Sequence, residues 1–128
     1  MELLVPIGRL LFGALFIQSG IGHFRHRAGM TEYARSAGVP LPETMVPLTG
    51  LMILLGGVSI LLGVYARVGA WLLVLFLIPT ALLMHRSRGV ADPQVAQNQR
   101  AHFQKNLALA GAALLIAYFG SGPYSLVP

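Results

Sequence analysis

The sequence has 128 residues and a formal net charge of +5; 55% of its residues are hydrophobic and 10% are charged. A soluble domain averages roughly 25% charged residues, so this composition predicts a membrane protein and leaves no room for a soluble catalytic domain. The sequence contains no cysteine, which excludes dithiol chemistry by this chain.

Four apolar segments predict helices that cross a bilayer, a span that takes about 20 residues. They cover residues 3–22, 45–64, 68–84 and 107–118 with its apolar continuation. We therefore predict an all-α fold in which residues 1–128 form one domain, a four-helix transmembrane bundle. The predicted helices cover residues 3–23, 45–64, 68–85 and 93–120, with a short interfacial helix in the first loop. A cleaved signal peptide is the weaker interpretation of the start, because its first charge is Glu2 and Arg9 interrupts the apolar run.

The loops carry recognisable helix signals. In the first loop, residues 23–43, Thr31 is predicted to cap the short helix, and Gly38 followed by Pro40 is predicted to stop it. The second loop is predicted to be a tight turn over residues 65–67. In the third loop, Asp92 and Pro93 suit the N-cap and the first helical position, so the last helix should begin at the membrane surface.

The basic residues are distributed unevenly between the two sides of such a bundle. Seven lie in or beside the first and third loops, namely Arg25, Arg27, Arg35, Arg86, Arg88, Arg100 and Lys105. The other side carries two, Arg9 and Arg67. Cytoplasmic loops are enriched in Lys and Arg, so we predict that both termini lie outside the cytoplasm and that the protein is integral to the inner membrane. We expect the basic face to contact anionic lipids, and nucleic acid is a poor partner for charges placed beside membrane spans.

Small residues recur along one face of three helices when positions are plotted at helical spacing. The faces comprise Arg9, Gly13, Phe16, Gly20 and His23; Thr49, Gly56, Ile60 and Gly63; and Asn106, Ala110, Ala113, Ala117 and Gly120. Small side chains let helices approach closely in lipid. We predict that these faces pack inside the bundle, with contact to a second copy of the chain as the alternative.

Polar residues that could bind a ligand gather at the predicted cytoplasmic end. His23 and His85 end helices, and His102 and Asn106 share a helix face, with Lys105 about 60° from His102. We predict a ligand site where these helix ends converge. The alternative is that the polar groups only face lipid headgroups, which a Lys side chain can reach by snorkelling.

Metal binding and transport are less well supported by the sequence. No two histidines have the i, i+4 spacing with an acidic partner that zinc or di-iron bundles show, so no metal is predicted. The four acidic residues all lie in termini or loops, whereas a proton-coupled transporter is expected to keep a carboxylate within the membrane.

Arg9 is a further candidate because it lies about 9 Å inside the outer end of its helix. A charge at that depth pairs inside the bundle or snorkels. We predict that its partners are backbone carbonyls around Gly120 and Ser121, at the negative end of the last helix dipole. The functional alternative is that Arg9 binds an anionic or carbonyl ligand.

The whole chain resembles the DoxX family of small four-helix membrane proteins. The resemblance rests on "GRLLFGALFIQSGIGHF", "GVPLPETMVPLTGLMILLGGVSILLGV", the pair Met84-His85, "ADPQVAQNQRAHFQKNLALAGAALL" and "GSGPYSL". The Lys105-Asn106 pair is its most specific element. Two positions depart from the family pattern: Ile53 stands where many members have Glu, and Arg86-Ser87-Arg88 replaces an aromatic pair after His85.

The resemblance implies redox-associated work in the membrane, since the family name is linked to the membrane subunit of a thiosulfate:quinone oxidoreductase. Our hypothesis is a redox-associated subunit in which Lys105 and Asn106 hold the carbonyl of a quinone or a lipid headgroup, with His85 or His102 beside them. The chain has no intrinsic electron carrier, neither CxxCH nor a flavin fingerprint, so a soluble redox enzyme would supply electrons. The alternative is a non-enzymatic scaffold or assembly factor that recruits a soluble partner through its basic loops. Loss of the family Glu at Ile53 argues against an autonomous enzyme.

Overall fold

A computed structural model describes residues 2–85 and 90–127 of the chain. Within these residues the fold is all-α, as predicted, and has five helices: α1 (Leu4–Arg25), α2 (Arg27–Ser36), α3 (Pro42–Leu62), α4 (Ala66–Met84) and α5 (Pro93–Phe119). The short helix of the first loop is α2. The largest difference from the predicted bounds is at the start of α3, which begins at Pro42 because proline suits the first turn of a helix.

Three of the described helices, α1, α3 and α4, are long and apolar enough to cross a membrane. The sequence predicted four such spans. Helix α5 is longer than the others, but Arg100, Lys105 and Asn106 lie along its first half and lower its mean hydropathy. The apolar second half alone is shorter than the roughly 20 residues that a span takes.

The start of α2 differs from the prediction, whereas its end agrees. Thr31 is not the N-cap: His26 precedes the first turn, and Thr31 lies inside the helix, where its hydroxyl donates to the carbonyl of Arg27 at 2.7 Å. A Thr hydroxyl can bond the carbonyl four residues earlier, so a helix can run through it. Gly38 has φ 85° and donates its N–H to the Arg35 carbonyl, which ends the helix as predicted.

The α3–α4 turn and the start of α5 are also determined by residues close to them in the sequence. The turn between α3 and α4 covers residues 63–65 rather than 65–67, with left-handed backbone at Gly63 and Tyr65, and Arg67 already lies in α4. The predicted cap of α5 is confirmed, because Asp92 Oδ1 accepts a hydrogen bond from the Gln94 N–H at 2.9 Å.

The helices pack in the order α1, α3, α4, α5, and α2 lies against α3 and α1. The buried residues of α1 are Arg9, Gly13, Phe16, Gly20 and His23, so the predicted packing face is confirmed. A Cβ atom at Gly20 would lie 2.9 Å from the carbonyl oxygen of Gly50. Helices α1 and α3 are therefore in backbone contact, which only small residues allow.

The faces predicted on α3 and α5 are confirmed in part. Gly56 and Ile60 are buried in α3, whereas Thr49 is half-buried; a Cβ atom at Gly56 would lie 2.9 Å from the Gly69 carbonyl oxygen of α4. In α5 the buried residues are Asn106, Ala110 and Ala113, and the face becomes half-buried towards its end.

The outer surface of the bundle is strongly apolar. Large side chains stand exposed around it, including Leu11 at 71%, Leu75 at 62% and Leu115 at 61% of their surface. In water such a surface would aggregate, so its natural surroundings are the acyl chains of a bilayer. The exposed Leu115 on α5 extends this surface beyond the three apolar helices.

After α5, residues 120–127 fold back along the α3–α4 turn, and we call them the tail segment. The N–H of Tyr65 donates to the Val127 carbonyl at 3.0 Å, and the N–H of Val127 donates to the Gly63 carbonyl at 2.9 Å. These bonds form an isolated parallel bridge between Val64 and Val127. The tail segment thereby closes the end of the bundle opposite α2.

Candidate functional site

A cavity of about 590 Å³ lies at the α2 end of the bundle, among residues of all five helices. Small-molecule sites in proteins are mostly apolar and have similar volumes. The apolar walls include Phe16, Phe76 and Leu109. The polar side chains that line the cavity are Ser19, His23, Tyr33, Thr49, Thr80, His85, Lys105 and Asn106.

Asn106 is the most unusual group in the cavity wall. The residue is 4% exposed, and its side-chain amide forms no hydrogen bond with any residue between 2 and 85 or between 90 and 127. The amide atoms nevertheless keep accessible surface, and the residue lines the cavity. A buried amide without a partner costs about 1–3 kcal/mol, so this position favours a polar group supplied from outside the chain.

Lys105 precedes Asn106 and lines the same cavity while remaining exposed as a residue. In the described part of the chain, both ion pairs involve Arg35, with Glu32 and with Glu43, so none involves Lys105. The ammonium group is therefore available to a ligand that enters the cavity.

His23 is 6% exposed and also lines the cavity. Its Nδ1 lies 3.0 Å from the Val46 carbonyl oxygen and 3.3 Å from the Thr49 hydroxyl, and its ring meets the edge of Phe76 with centroids 5.7 Å apart. Because a carbonyl oxygen can only accept, Nδ1 carries the proton. In the neutral ring Nε2 is then an acceptor.

His85 belongs to a polar network that holds α2 against α4 and α5. Its Nδ1 lies 3.0 Å from Gln99 Oε1, and the Gln99 amide donates to the Tyr33 hydroxyl at 2.5 Å. Tyr33 in turn donates to the Met84 carbonyl at 2.9 Å. Sequence reasoning missed Tyr33 and Gln99, because nothing in their spacing relates them to His85.

His102 lies beside His85 but is not among the residues that line the cavity. Their rings stack with centroids 5.0 Å apart and an interplanar angle of 28°. His102 is exposed, whereas Asn106, about one turn further along the same face of α5, is buried in the bundle. Among the residues that the structure describes, no group of three metal-ligating side chains is found.

We expect the melting temperature of the protein to fall as the pH is lowered from about 7.5 to about 5.5. Burial lowers the pKa of His85; its hydrogen bond to Gln99 raises the pKa, and the nearby charges of His102 and Lys105 lower it. The unfolded chain, with a His pKa of about 6.5, therefore binds more protons than the folded chain, and stability is lost on acidification. The measurement is a pair of thermal melts at each pH. His85→Gln should reduce the fall, and an equal fall in this variant would contradict the assignment to His85.

Arg9 lies at the other end of the bundle, apart from the histidines. It is 6% exposed; its Nη2 donates to the Tyr124 carbonyl at 2.8 Å, and its Nη1 donates to the Ser125 hydroxyl at 3.2 Å. A backbone carbonyl is a partner of Arg9, as predicted, but it belongs to Tyr124 rather than to residues around Gly120 and Ser121, because the chain turns back after α5 and brings later residues over Arg9. Its contacts dock the tail segment, and Arg9 is not a neighbour of the cavity.

The two departures from the family pattern fall in different places. Ile53 is fully buried in the apolar core, so an aliphatic side chain fills the position at which the resemblance implies a carboxylate. The replacement at Arg86, Ser87 and Arg88 lies outside the described residues.

Comparison with known proteins agrees with the architecture. The DoxX family model matches residues 4–86. The chain belongs to the DoxX family. Two inner membrane proteins of Escherichia coli K12 are similar over almost the whole chain: YphA is 30% identical, with 96% of this chain and 87% of YphA covered, and YqjF is 36% identical, with 95% and 88% covered. No solved structure matches.

The DoxX match and the apolar helices together make the chain an inner membrane protein of this family. The matched residues include His23 and His85 but end before α5. Lys105 and Asn106 therefore lie outside the residues that the family model matches, whereas both E. coli relatives align over at least 95% of the chain.

Proposed function

We propose that this DoxX protein binds the polar head of a quinone or a lipid in the cavity and acts as a redox-associated membrane subunit. The observation that carries the proposal is the buried amide of Asn106, which lines an apolar cavity and has no partner among the described residues. Quinones and lipid heads both offer oxygen atoms that accept hydrogen bonds and carry an apolar body that suits such walls.

The polar and apolar side chains that line the cavity match the two parts of a quinone head, its carbonyl oxygen and its ring. A carbonyl oxygen would accept from the Asn106 amide and from the Lys105 ammonium, while the ring would lie against Phe16, Phe76 and Leu109. A bound quinone would supply two-electron, two-proton chemistry. The chain itself contains no cysteine, so electrons would come from a soluble redox partner.

Ligand-dependent stabilisation tests this proposal on the purified full chain. We expect a short-chain ubiquinone or a phospholipid to raise the melting temperature in detergent, since a ligand that binds the folded state stabilises it. In Asn106→Ala the affinity should fall by about tenfold, the loss expected for one buried hydrogen bond. Gln104→Ala is the matched control, because Gln104 is an exposed amide on the same helix. If neither compound shifts the wild-type melting temperature, the proposal fails.

We also propose that α5 forms a fourth span and that both termini lie outside the cytoplasm. No charged residue follows Lys105 in the sequence, and the basic residues of α2 and of the first half of α5 favour the cytoplasmic side. An even number of spans puts the two ends of the chain on one side. Reporter fusions at each end should both report the outside; a fluorescent C-terminal fusion in the cytoplasm would contradict the four-span topology.

A further inference from the structure

The cavity offers hydrogen-bond acceptors as well as donors. Nδ1 of His23 is committed to the Val46 carbonyl, so Nε2 is an acceptor in the neutral ring. No residue in the described ranges donates to Nε2, and this atom keeps accessible surface in a side chain that is 6% exposed. A second acceptor is the unpartnered amide oxygen of Asn106.

The side chains that line the same cavity and carry donors include Asn106, Lys105, Ser19 and Thr80. A ligand head that only accepts hydrogen bonds would pair with these donors. It would offer no donor to Nε2 of His23, an atom to which no described residue donates. A hydroxyl group both donates and accepts, so it can satisfy both kinds of group.

We infer that the cavity selects a ligand whose polar head carries a hydroxyl group, a quinol in preference to the corresponding quinone. This inference rests on the proposed function and narrows it to one redox form of the ligand. A quinol hydroxyl donates to His23 Nε2 or to the Asn106 amide oxygen, and its oxygen atoms accept from Asn106 and Lys105. The matching quinone lacks every donor, and one missing hydrogen bond in a buried site corresponds to a loss of affinity of about tenfold.

Four related ligands test the inference on the wild-type chain in detergent, by calorimetric titration under nitrogen. They are a methylated benzoquinol, its monomethyl ether, its dimethyl ether and the matching benzoquinone. The quinol has two donors, the monoether has one, and the diether and the quinone have none. We expect the quinol to bind at least about tenfold more tightly than the quinone and the diether, with the monoether between them.

Each outcome separates this inference from the proposed function. Equal or tighter binding of the quinone overturns the selection for a hydroxyl and leaves the quinone site standing. Absence of binding by all four compounds overturns the selection for a hydroxyl group and also the proposal that the cavity binds a quinone head.

A substitution at His23 then tests whether this side chain accepts the hydrogen bond of the ligand hydroxyl. In His23→Phe the ratio between quinol and quinone affinities should fall towards one, whereas His26→Phe, at an exposed histidine outside this cavity, should keep it. An unchanged ratio in a folded His23→Phe protein would overturn the role of His23. If that variant does not fold, the comparison of quinol with diether still decides the donor requirement.

Discussion

Gly20→Leu should destabilise the bundle more than any other substitution considered, by about 3 kcal/mol or more. Even a Cβ atom at this position would lie 2.9 Å from the Gly50 carbonyl oxygen, 2.9 Å from Leu54 Cβ and 3.0 Å from the Leu54 nitrogen. Two of these three atoms are backbone, so the contact cannot be relieved by a change of rotamer. The helices must move apart, and the contacts that hold α1 on α3 along their length would be lost with them.

Gly22→Leu is the matched control for this prediction. Gly22 lies on the same helix, and no atom lies within 4 Å of a Cβ atom built there. Both substitutions gain the same helix propensity, which amounts to about 1 kcal/mol. Thermal melts in one detergent should show a large fall for Gly20→Leu and no fall for Gly22→Leu; similar melting temperatures for the two would mean that α1 and α3 do not pack as described.

Asn106→Leu should raise the melting temperature of the ligand-free protein and remove ligand binding at the same time. Leu has nearly the shape of Asn but no polar atoms. Asn106 is 4% exposed and its amide has no hydrogen-bond partner among the described residues. An apolar side chain at this position should therefore stabilise the ligand-free folded state, by about 1 kcal/mol because the amide atoms still face the cavity. The affinity for the ligand should fall by at least about tenfold, since the same amide is the group offered to it.

A higher melting temperature together with weaker ligand binding distinguishes a group that binds the ligand from one that supports the fold. Asn98→Leu is the matched control, because Asn98 is an exposed residue of the same helix, and it should change neither quantity much. A lower melting temperature for Asn106→Leu would mean that the amide supports the bundle itself. Unchanged binding would remove Asn106 from the proposed site.

The buried face of α1 could be predicted from the sequence because it depends on local rules. Glycines and Phe16 recur at helical spacing, and close packing in lipid selects small residues. The cap at Asp92 and the stop at Gly38 were equally local. Thr31 was misassigned as a cap because the same hydroxyl can also bond a carbonyl inside a helix.

The parts that the sequence did not predict depend on contacts between distant segments. Tyr33 lies in α2, Gln99 lies in α5 and His85 follows α4, so no sequence spacing predicts that their side chains form hydrogen bonds. Likewise, the partners of Arg9 could be placed near the end of α5 but not identified, because the direction of the chain after Gly120 is set by its positive φ and its docking on the α3–α4 turn.

Asn106 shows a subtler limit of sequence reasoning. Its position on an inward face predicted burial, and a buried amide is ordinarily expected to have a partner within the protein. In the described structure it has none. The pattern predicted where the side chain would lie but not that its amide would have no partner among the described residues.

The contact between Arg9 and the tail segment has a consequence for biosynthesis. Arg9 and its acceptor at Tyr124 are separated by 115 residues, and a chain is made from its N-terminus. Helix α1 therefore enters the membrane while its guanidinium has no acceptor from this chain, and a charge within a span is costly. The guanidinium gains its acceptors at Tyr124 and Ser125 only after those residues have been synthesised and the tail segment has docked. A chain shortened before Tyr124 would leave the Arg9 guanidinium without both of these acceptors.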